Sequence, residues 1–98
     1  MQFKNRIVCA ANKVGDDLIL GIRHCDLLMN RTKELCRIRN ADWNTAEQGF
    51  VDKFGVFQSR TDAWKIAVKA NQIFRLVSGQ TKDSVFAVDV ELYSENLY

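Results

Sequence analysis

The sequence predicts an α+β domain in which a small antiparallel sheet packs on two helices. Three observations support this prediction: the order strand, strand, helix occurs twice, turn residues separate the strands of each pair, and a capping residue precedes each stretch of helical spacing. The chain has 98 residues, the usual size of one domain and too few for two independent cores. We therefore expect residues 1–98 to form a single domain, a ββα-ββα pseudo-repeat followed by a C-terminal strand or tail.

The first half of the chain begins with a predicted β-hairpin. Residues 6–11 are almost uniformly apolar and are predicted to form a buried strand, with residues 18–22 as its partner. Between them, residues 14–17 (VGDD) are of the types that favour a tight turn. Asp26 follows the second strand and is predicted to cap a helix that begins at Leu27.

The first predicted helix runs to about Arg39 and has an apolar stripe at helical spacing. The stripe consists of Leu28, Leu35 and Ile38, with Cys36 nearby. Because the chain contains no proline, no residue of that kind interrupts the helix. The segment that follows, residues 40–48, is polar and is predicted to be a loop.

The same order of elements then recurs in the second half. Residues 49–52 and 56–58 are predicted to pair as a shorter hairpin around residues 53–55 (KFG). Residues 59–62 (SRTD) match the capping-box pattern, in which a Ser or Thr is followed three residues later by an acid. The second helix begins there, so Asp26 and Asp62 would open the two helices. Its buried face is predicted to consist of Ala63, Ile66, Ala67, Ala70 and Phe74.

The C-terminal part of the chain is predicted to be a loop, a strand and an unusual tail. Residues 78–84 have loop composition, and residues 85–90 alternate as a fifth strand would. Residues 92–98 (LYSENLY) are aromatic and apolar, whereas chain termini are usually bland. We expect this tail to dock onto a neighbouring subunit, which makes the protein a homo-oligomer.

Composition argues against several classes of protein. Fourteen basic and twelve acidic residues give a formal charge of +2, a smaller excess than binding to long nucleic acid usually requires. The longest apolar run, residues 7–11, is too short to span a membrane. The three cysteines are odd in number and lack C-x-x-C spacing, and the N-terminus has no secretory signal. We therefore expect a reduced protein in the cytoplasm of its host cell, without a membrane partner.

A candidate anion-binding site lies where the hairpins meet the helices. Arg23 and His24 come just before the first helix, where backbone N–H groups and the helix dipole favour a phosphate or carboxylate. Arg60 occupies the corresponding place before the second helix, and the Thr61 hydroxyl can add a hydrogen bond. The alternative is structural: Arg23 pairs with Asp26, and His24 is a half-buried, hydrogen-bonded core residue.

Aromatic and acidic side chains could complete a nucleotide site. Most aromatic residues are predicted to be core, whereas Trp43 in the polar segment and Tyr98 at the C-terminus are candidates to stack on a base or anchor a partner. Glu95 is either a solvated surface charge or an acceptor for two donors on the Watson–Crick edge of guanine. A basic site beside aromatic side chains suits nucleotide recognition, and many protein interfaces share this composition.

No residue pattern specifies a reaction. The chain has one histidine and therefore lacks a set of metal ligands at workable spacing. His24 and Cys25 are adjacent in an extended segment, so their side chains point to opposite faces and do not form a nucleophile–base pair. There is no paired-carboxylate signal, and the five glycines form no phosphate-binding motif. We expect a binding protein without catalytic residues, metal or cofactor.

An ordered series of motifs resembles a widespread set of small bacteriophage and prophage proteins, along most of the chain from about Ile7. The motifs are Gly21-Ile22-Arg23-His24, Gln48-Gly49-Phe50, Phe57-x-x-Arg60-x-x-Ala63-x-x-Ile66-Ala67, Gln72-Ile73 and Leu92-Tyr93-Ser94-Glu95-x-Leu97-Tyr98. The departures from the pattern are Asn71-Gln72 and Glu95-Asn96, where Gly-Gln and Glu-Asp are expected.

Within that set, the chain resembles the anti-CBASS type of nucleotide sponge, an oligomer that sequesters cyclic nucleotide immune signals without cleaving them. The resemblance implies a cyclic di- or trinucleotide ligand, with Arg23, His24 and Arg60 on the phosphate side. It also implies that Tyr98 or a neighbouring aromatic ring stacks on a base and that Glu95 accepts from a base edge. A different class of function is an inhibitor that occludes a host defence enzyme through the aromatic tail.

Overall fold

Two β-hairpins lie side by side in one four-stranded antiparallel sheet. The structure, a computed structural model, describes residues 4–24, 26–77, 79–87 and 89–97. The strands are β1 (Ile7–Val14), β2 (Asp17–Gly21), β3 (Glu47–Asp52) and β4 (Phe57–Ser59), in the order β2-β1-β3-β4 across the sheet. Each hairpin therefore contributes one long central strand and one short outer strand. Both predicted hairpins and the predicted α+β class are confirmed.

Three helices accompany the sheet: α1 (Leu27–Leu35), α2 (Asn40–Asn44) and α3 (Arg60–Lys69). Helix α1 packs beside β2, and α3 packs on β3, β4 and β1. Two short 3₁₀ segments, Lys82–Phe86 and Ser94–Asn96, follow towards the C-terminus. The predicted order ββα thus occurs twice, with α2 as an additional helix between the halves.

Local chemistry explains each hairpin turn. In the first, Gly15 adopts a φ of +60°, which a two-residue hairpin turn requires, between the paired residues Val14 and Asp17. In the second, the buried carboxylate of Asp52 accepts hydrogen bonds from two backbone N–H groups of the turn, at 2.9 Å each. Both turns therefore arise from residues beside them in the sequence.

The register of the sheet brings the ends of the two outer strands to the same level. One row of paired residues consists of Gly21, Ala10, Phe50 and Gln58, and the next of Leu20, Ala11, Gly49 and Ser59. Because β2 and β4 both end on these rows, the segments that follow them leave the sheet near the middle of the central strands. The residues after β2 and those after β4 can therefore meet.

The hydrophobic core includes Trp64, Ala63 and Ala67 of α3 together with Phe50 of the sheet. Trp64 is fully buried, and its indole N–H donates to the Ser84 carbonyl oxygen at 3.1 Å. The hydrogen bond satisfies the one polar group that burial of the ring would otherwise leave unpaired. The sequence prediction for this helix included the two alanines but not Trp64.

Helix α1 is shorter than predicted. It ends at Leu35 instead of about Arg39, because Arg37 adopts a left-handed φ of 55° that stops the helix. The predicted apolar stripe is wrong for Leu28 and Leu35, which are exposed, whereas Ile38, beyond the helix, does pack against the core. Met29 is the buried residue of the helix. Asp26 does cap the helix as predicted, since its carboxylate accepts from the Met29 N–H at 2.8 Å.

Residues 40–48 are not the predicted loop. The first five residues form helix α2, and Glu47 and Gln48 already belong to β3. The short helix packs the Trp43 ring against the core, where the Lys33 ammonium lies 5.3 Å from the ring centroid. This packing stabilises α2, although its sequence is polar and has little helical periodicity.

The buried face predicted for α3 extends too far. The helix ends at Lys69 with Ala70 as its C-cap, and Asn71 turns the chain at a φ of 58°. Phe74 therefore lies outside the helix, and 72% of its surface is exposed. The helix begins at Arg60, with the Ser59 hydroxyl accepting from the Asp62 N–H at 3.2 Å, so Ser59 rather than Asp62 is the cap.

The predicted fifth strand is absent from the described residues of this region. Residues 82–86 form a 3₁₀ segment because Thr81 and Ser84 bond to each other, the Thr81 N–H donating to the Ser84 hydroxyl at 2.8 Å. The tail is covered by its own chain: Leu92 is completely buried in the core, and its N–H donates to the Arg60 carbonyl oxygen at 2.9 Å. Leu92 is therefore unavailable for the predicted contact with a neighbouring subunit.

Candidate functional site

His24 crosses the sheet from the end of β2 to the central strand β3. Its Nε2 lies 2.7 Å from the Gly49 carbonyl oxygen, and its ring packs edge-on against Phe50 with centroids 4.9 Å apart. Its Nδ1 lies 3.1 Å from the Ser94 hydroxyl in the C-terminal segment. One imidazole thus joins the first hairpin, the second hairpin and the tail.

The partners of His24 define its tautomer. The Gly49 carbonyl can only accept, so Nε2 carries the hydrogen, and in the neutral ring Nδ1 accepts from the Ser94 hydroxyl. Burial lowers the pKa of His24 and the nearby Arg60 charge lowers it further, whereas the Gly49 hydrogen bond and the Glu95 charge partly offset these effects. His24 is therefore neutral at neutral pH, and its half-buried, hydrogen-bonded ring agrees with the structural alternative drawn from the sequence.

The chain can turn towards β3 because of Asp26 and Gly21. The Asp26 carboxylate accepts from the backbone N–H groups of Ile22 and Arg23, at 2.9 and 3.0 Å, while it also caps α1. A Cβ on Gly21 would lie 2.7 Å from this carboxylate, too close for any other residue without a shift. The structural alternative drawn from the sequence pairs Arg23 with Asp26. In the structure, the Arg23 backbone N–H donates to the Asp26 carboxylate.

Gly49 is a close-packed position on the opposite side of the site. The Phe57 ring lies across it, and a Cβ at this position would come within 2.6 Å of that ring. Glycine therefore allows the Phe57 ring to cover β3 while the Gly49 carbonyl oxygen receives the His24 hydrogen bond. Both residues flanking Gly49, Gln48 and Phe50, also contribute to the site.

Arg60 holds the tail against the second hairpin. As the first residue of α3 it is half-buried, and it donates from Nη1 to the Leu92 carbonyl oxygen at 3.0 Å and from Nη2 to the Gln48 side chain at 2.5 Å. Its guanidinium carbon lies 4.9 Å from the centroid of the Tyr93 ring. Arg60 therefore clamps the tail to the second hairpin.

The structure brings together three of the predicted site residues. Arg60 and Glu95 both lie close enough to His24 for their charges to influence its pKa, and Glu95 is exposed. Thr61 is half-buried beside Arg60, with its hydroxyl 3.2 Å from that of Ser59. Arg23 is exposed next to His24. Tyr98 lies outside the described residues.

Tyr93, Ser94, Gln48 and Gly49 belong to the site but were not assigned to it from the sequence. All four occur in two of the motifs that carry the phage-protein resemblance, and both motifs supply contacts to His24 or Arg60. Tyr93 is partly exposed, and its hydroxyl donates to Glu91 at 3.2 Å. Their occurrence in these motifs was the signal in the sequence that could have identified these residues.

Within the described ranges, no group of three or more metal-binding side chains is present, and no helix is long and apolar enough to cross a membrane. The site is thus defined by hydrogen bonds, one cation–π contact and a nearby carboxylate. Such a set suits recognition of a polar, partly aromatic partner.

The fold and site define a small α+β protein with a composite polar and aromatic site. The family described as "Phage T4 y16D protein" matches residues 6–98, nearly the whole chain, and the chain belongs to this family. No curated protein and no solved structure matches the chain. The predicted resemblance to a family of small phage proteins is confirmed at this level.

Proposed function

We propose that this protein sequesters a cyclic di- or trinucleotide immune signal in the host cytoplasm without cleaving it. The observation that carries the proposal is the stack of Arg60 on Tyr93 beside the exposed carboxylate of Glu95. A cation, an aromatic ring and a carboxylate are the three kinds of group that recognise a phosphate, a base face and a base edge. They are brought here by the start of α3, which carries Arg60, and by the C-terminal segment, which carries Tyr93 and Glu95.

Each group has capacity left for a ligand. Arg60 has five N–H donors, and the described residues use two of them. A phosphate can accept from the others in a charge-assisted hydrogen bond. The partly exposed Tyr93 ring offers a surface on which a base can stack, and the Glu95 carboxylate can accept from two donors of a guanine edge.

The other predicted residues have supporting roles in this proposal. Arg23 and Thr61 flank the site and would contact phosphate, and Tyr98 would add a second stacking surface. Neutral His24 would position β3 and Ser94 and would donate no charge of its own. A homo-oligomer would multiply the number of sites for each assembly.

The engagement of His24 supports sequestration rather than turnover. Phosphodiester cleavage needs a positioned base or nucleophile and stabilisation of developing charge. His24 is the one histidine of the chain, and both of its ring nitrogens already bond to Gly49 and Ser94. The remaining groups can bind a nucleotide without catalysing its cleavage.

The test is calorimetric titration with a panel of cyclic di- and trinucleotides. One member of the panel should bind, and Tyr93→Ala should weaken it by about 1–3 kcal/mol through loss of stacking. Tyr93→Phe, which keeps the ring, should bind nearly as well. Glu95→Gln should weaken a guanine-containing ligand, whereas Glu34→Gln, an exposed acid on α1, should not. If no cyclic nucleotide binds, the proposal is wrong.

A second candidate is an inhibitor that occludes a host defence enzyme. The fold exposes large apolar side chains, among them Leu35 at 84% and Phe86 at 85%, which is unusual for a protein without partners. The aromatic tail is less suitable for this role than predicted from the sequence, since Leu92 is buried. This candidate would be favoured if the protein pulls down a host enzyme but binds no nucleotide.

A further inference from the structure

An apolar groove lies between the end of α3 and the first 3₁₀ segment, away from the His24 site. It encloses about 310 Å³ and is lined in part by Ile73, Phe74, Leu76 and Val85, with Arg75 and Lys82 among its polar residues. We call it the Phe74 groove. Its volume is within the range of pockets that receive a side chain or small ligand.

The exposure of Phe74 is imposed by its anchored backbone. The Phe74 N–H donates to the carbonyl oxygen of Asn96 at 2.7 Å, and the Asn96 side chain donates to the Arg75 carbonyl oxygen at 2.9 Å. Asn96 itself is completely buried. These hydrogen bonds hold Phe74 at the surface, where the residue is 72% exposed and its apolar side chain stays in contact with water. An anchored apolar side chain of this kind is typical of a recognition surface.

The charge of the groove limits what can occupy it. Arg75 and Lys82 line it, the described lining contains no carboxylate, and the Arg75 guanidinium lies 5.2 Å from the centroid of the Phe74 ring. An occupant must therefore combine apolar groups with negative charge. The exposed leucines of α1 on a second copy match this charge less well, because Arg31 lies beside them as well as Glu34 and the helix has no excess of negative charge.

We propose that the Phe74 groove docks a segment of another protein in which apolar side chains are flanked by carboxylates. The apolar side chains enter beside Phe74 and Val85, and the carboxylates pair with Arg75 and Lys82. The proposal does not depend on nucleotide binding, since no residue of the groove belongs to the His24 site.

The test uses two short synthetic peptides with leucines at the same helical spacing. In one the intervening positions are Glu, and in the other they are Lys. Fluorescence anisotropy with the full chain should show about tenfold tighter binding of the acidic peptide. Arg75→Glu with Lys82→Glu should abolish this preference, and Phe74→Ser should weaken both peptides, with unchanged melting temperatures because the three side chains are exposed.

The matched control is Lys4→Glu with Lys65→Glu, which makes the same change in net charge on exposed residues elsewhere. This control should bind the acidic peptide like the wild type. Three results would each overturn the proposal: no binding of the acidic peptide, equal binding of both peptides, or loss of binding in the control. Self-association that light scattering shows to be abolished by Phe74→Ser would also overturn it, in favour of a second copy. If the protein binds no nucleotide but passes this test, only the nucleotide proposal is wrong.

Discussion

His24 and Gly49 are joined by a hydrogen bond of 2.7 Å although they lie on different hairpins, with β1 between their strands. The bond is possible because β2 ends level with the middle of β3. It fixes the tautomer of the neutral imidazole, and the Ser94 contact of the same ring fixes the position of the tail that carries Tyr93 and Glu95. The site therefore depends on the pairing of the two halves of the fold.

The first prediction concerns pH. The folded-state pKa of His24 lies below its ordinary value, so folding favours the neutral ring, and its contribution to stability is complete above the unfolded pKa of about 6.5. That contribution is lost as the pH falls through the lower folded-state pKa. Urea unfolding between about pH 7 and pH 5 should show a loss of stability that His24→Asn reduces. Parallel pH curves for the two proteins would contradict the assigned neutral state.

The second prediction concerns Gly49. A methyl group at this position would meet the Phe57 ring and the backbone of β4, so Gly49→Ala should lower the free energy of unfolding by about 3 kcal/mol or more. Gly15→Asn is the control, because Gly15 is surrounded by open space and Asn tolerates its positive φ. Thermal melting should separate the two variants clearly. Equal melting temperatures would mean that Phe57 can move aside.

The third prediction concerns the buried carboxylate of Asp52. Burial alone would raise its pKa, but hydrogen bonds from the Asn5 and Gln58 side chains and from the turn outweigh burial and hold the pKa below its ordinary value. Asp52→Ala should cost about 3 kcal/mol of unfolding free energy, since it leaves several buried donors unpaired.

The Asp52 contribution depends on pH in the same direction as that of His24, but over a more acidic range. The stability from Asp52 is present above its unfolded pKa of about 3.9 and is lost as the pH falls through the lower folded-state value. The stabilities of the wild type and of Asp52→Asn should therefore converge as the pH falls below the unfolded-state pKa. A variant as stable as the wild type at pH 7 would refute this account of the turn.

The fourth prediction concerns the clamp on the tail. Arg60→Ala removes donors to Leu92 and Gln48 and the contact with Tyr93, so the tail should open more often while the sheet stays intact. Hydrogen exchange should accelerate at the Leu92 amide and remain slow at Ala10, which lies in the central strand. Faster exchange at both amides would indicate global destabilisation instead.

Local sequence chemistry was sufficient for the hairpins and for the starts of α1 and α3. The turn at Gly15 and the caps at Asp26 and Ser59 depend on residues a few positions apart, and all were predictable. The end of α1 was not, because it depends on a left-handed Arg37, and arginine gives no signal for that conformation. The end of α3 was missed although left-handed Asn71 is of a type that favours helix ends.

The site was predictable only in part for a similar physical reason. His24, Arg60 and Glu95 were identified as candidates, but the partners that hold them come from β3 and the tail. The contact between His24 and Ser94 spans 70 residues, and no periodicity or spacing encodes such a distance. The burial of Leu92 likewise results from tertiary packing, which a composition-based reading of the tail as an interface could not foresee.

The most direct test of the nucleotide proposal is to incubate the protein with the cyclic nucleotide that it binds in the calorimetric panel. The mixture is filtered to separate protein from free ligand, the protein is heat-denatured, and the released material is analysed by chromatography. The nucleotide should be depleted from the filtrate and should return intact from the denatured protein even after long incubation. A nucleotide that stays in the filtrate, or that returns in linear form with the activity lost in His24→Ala, would contradict sequestration without cleavage.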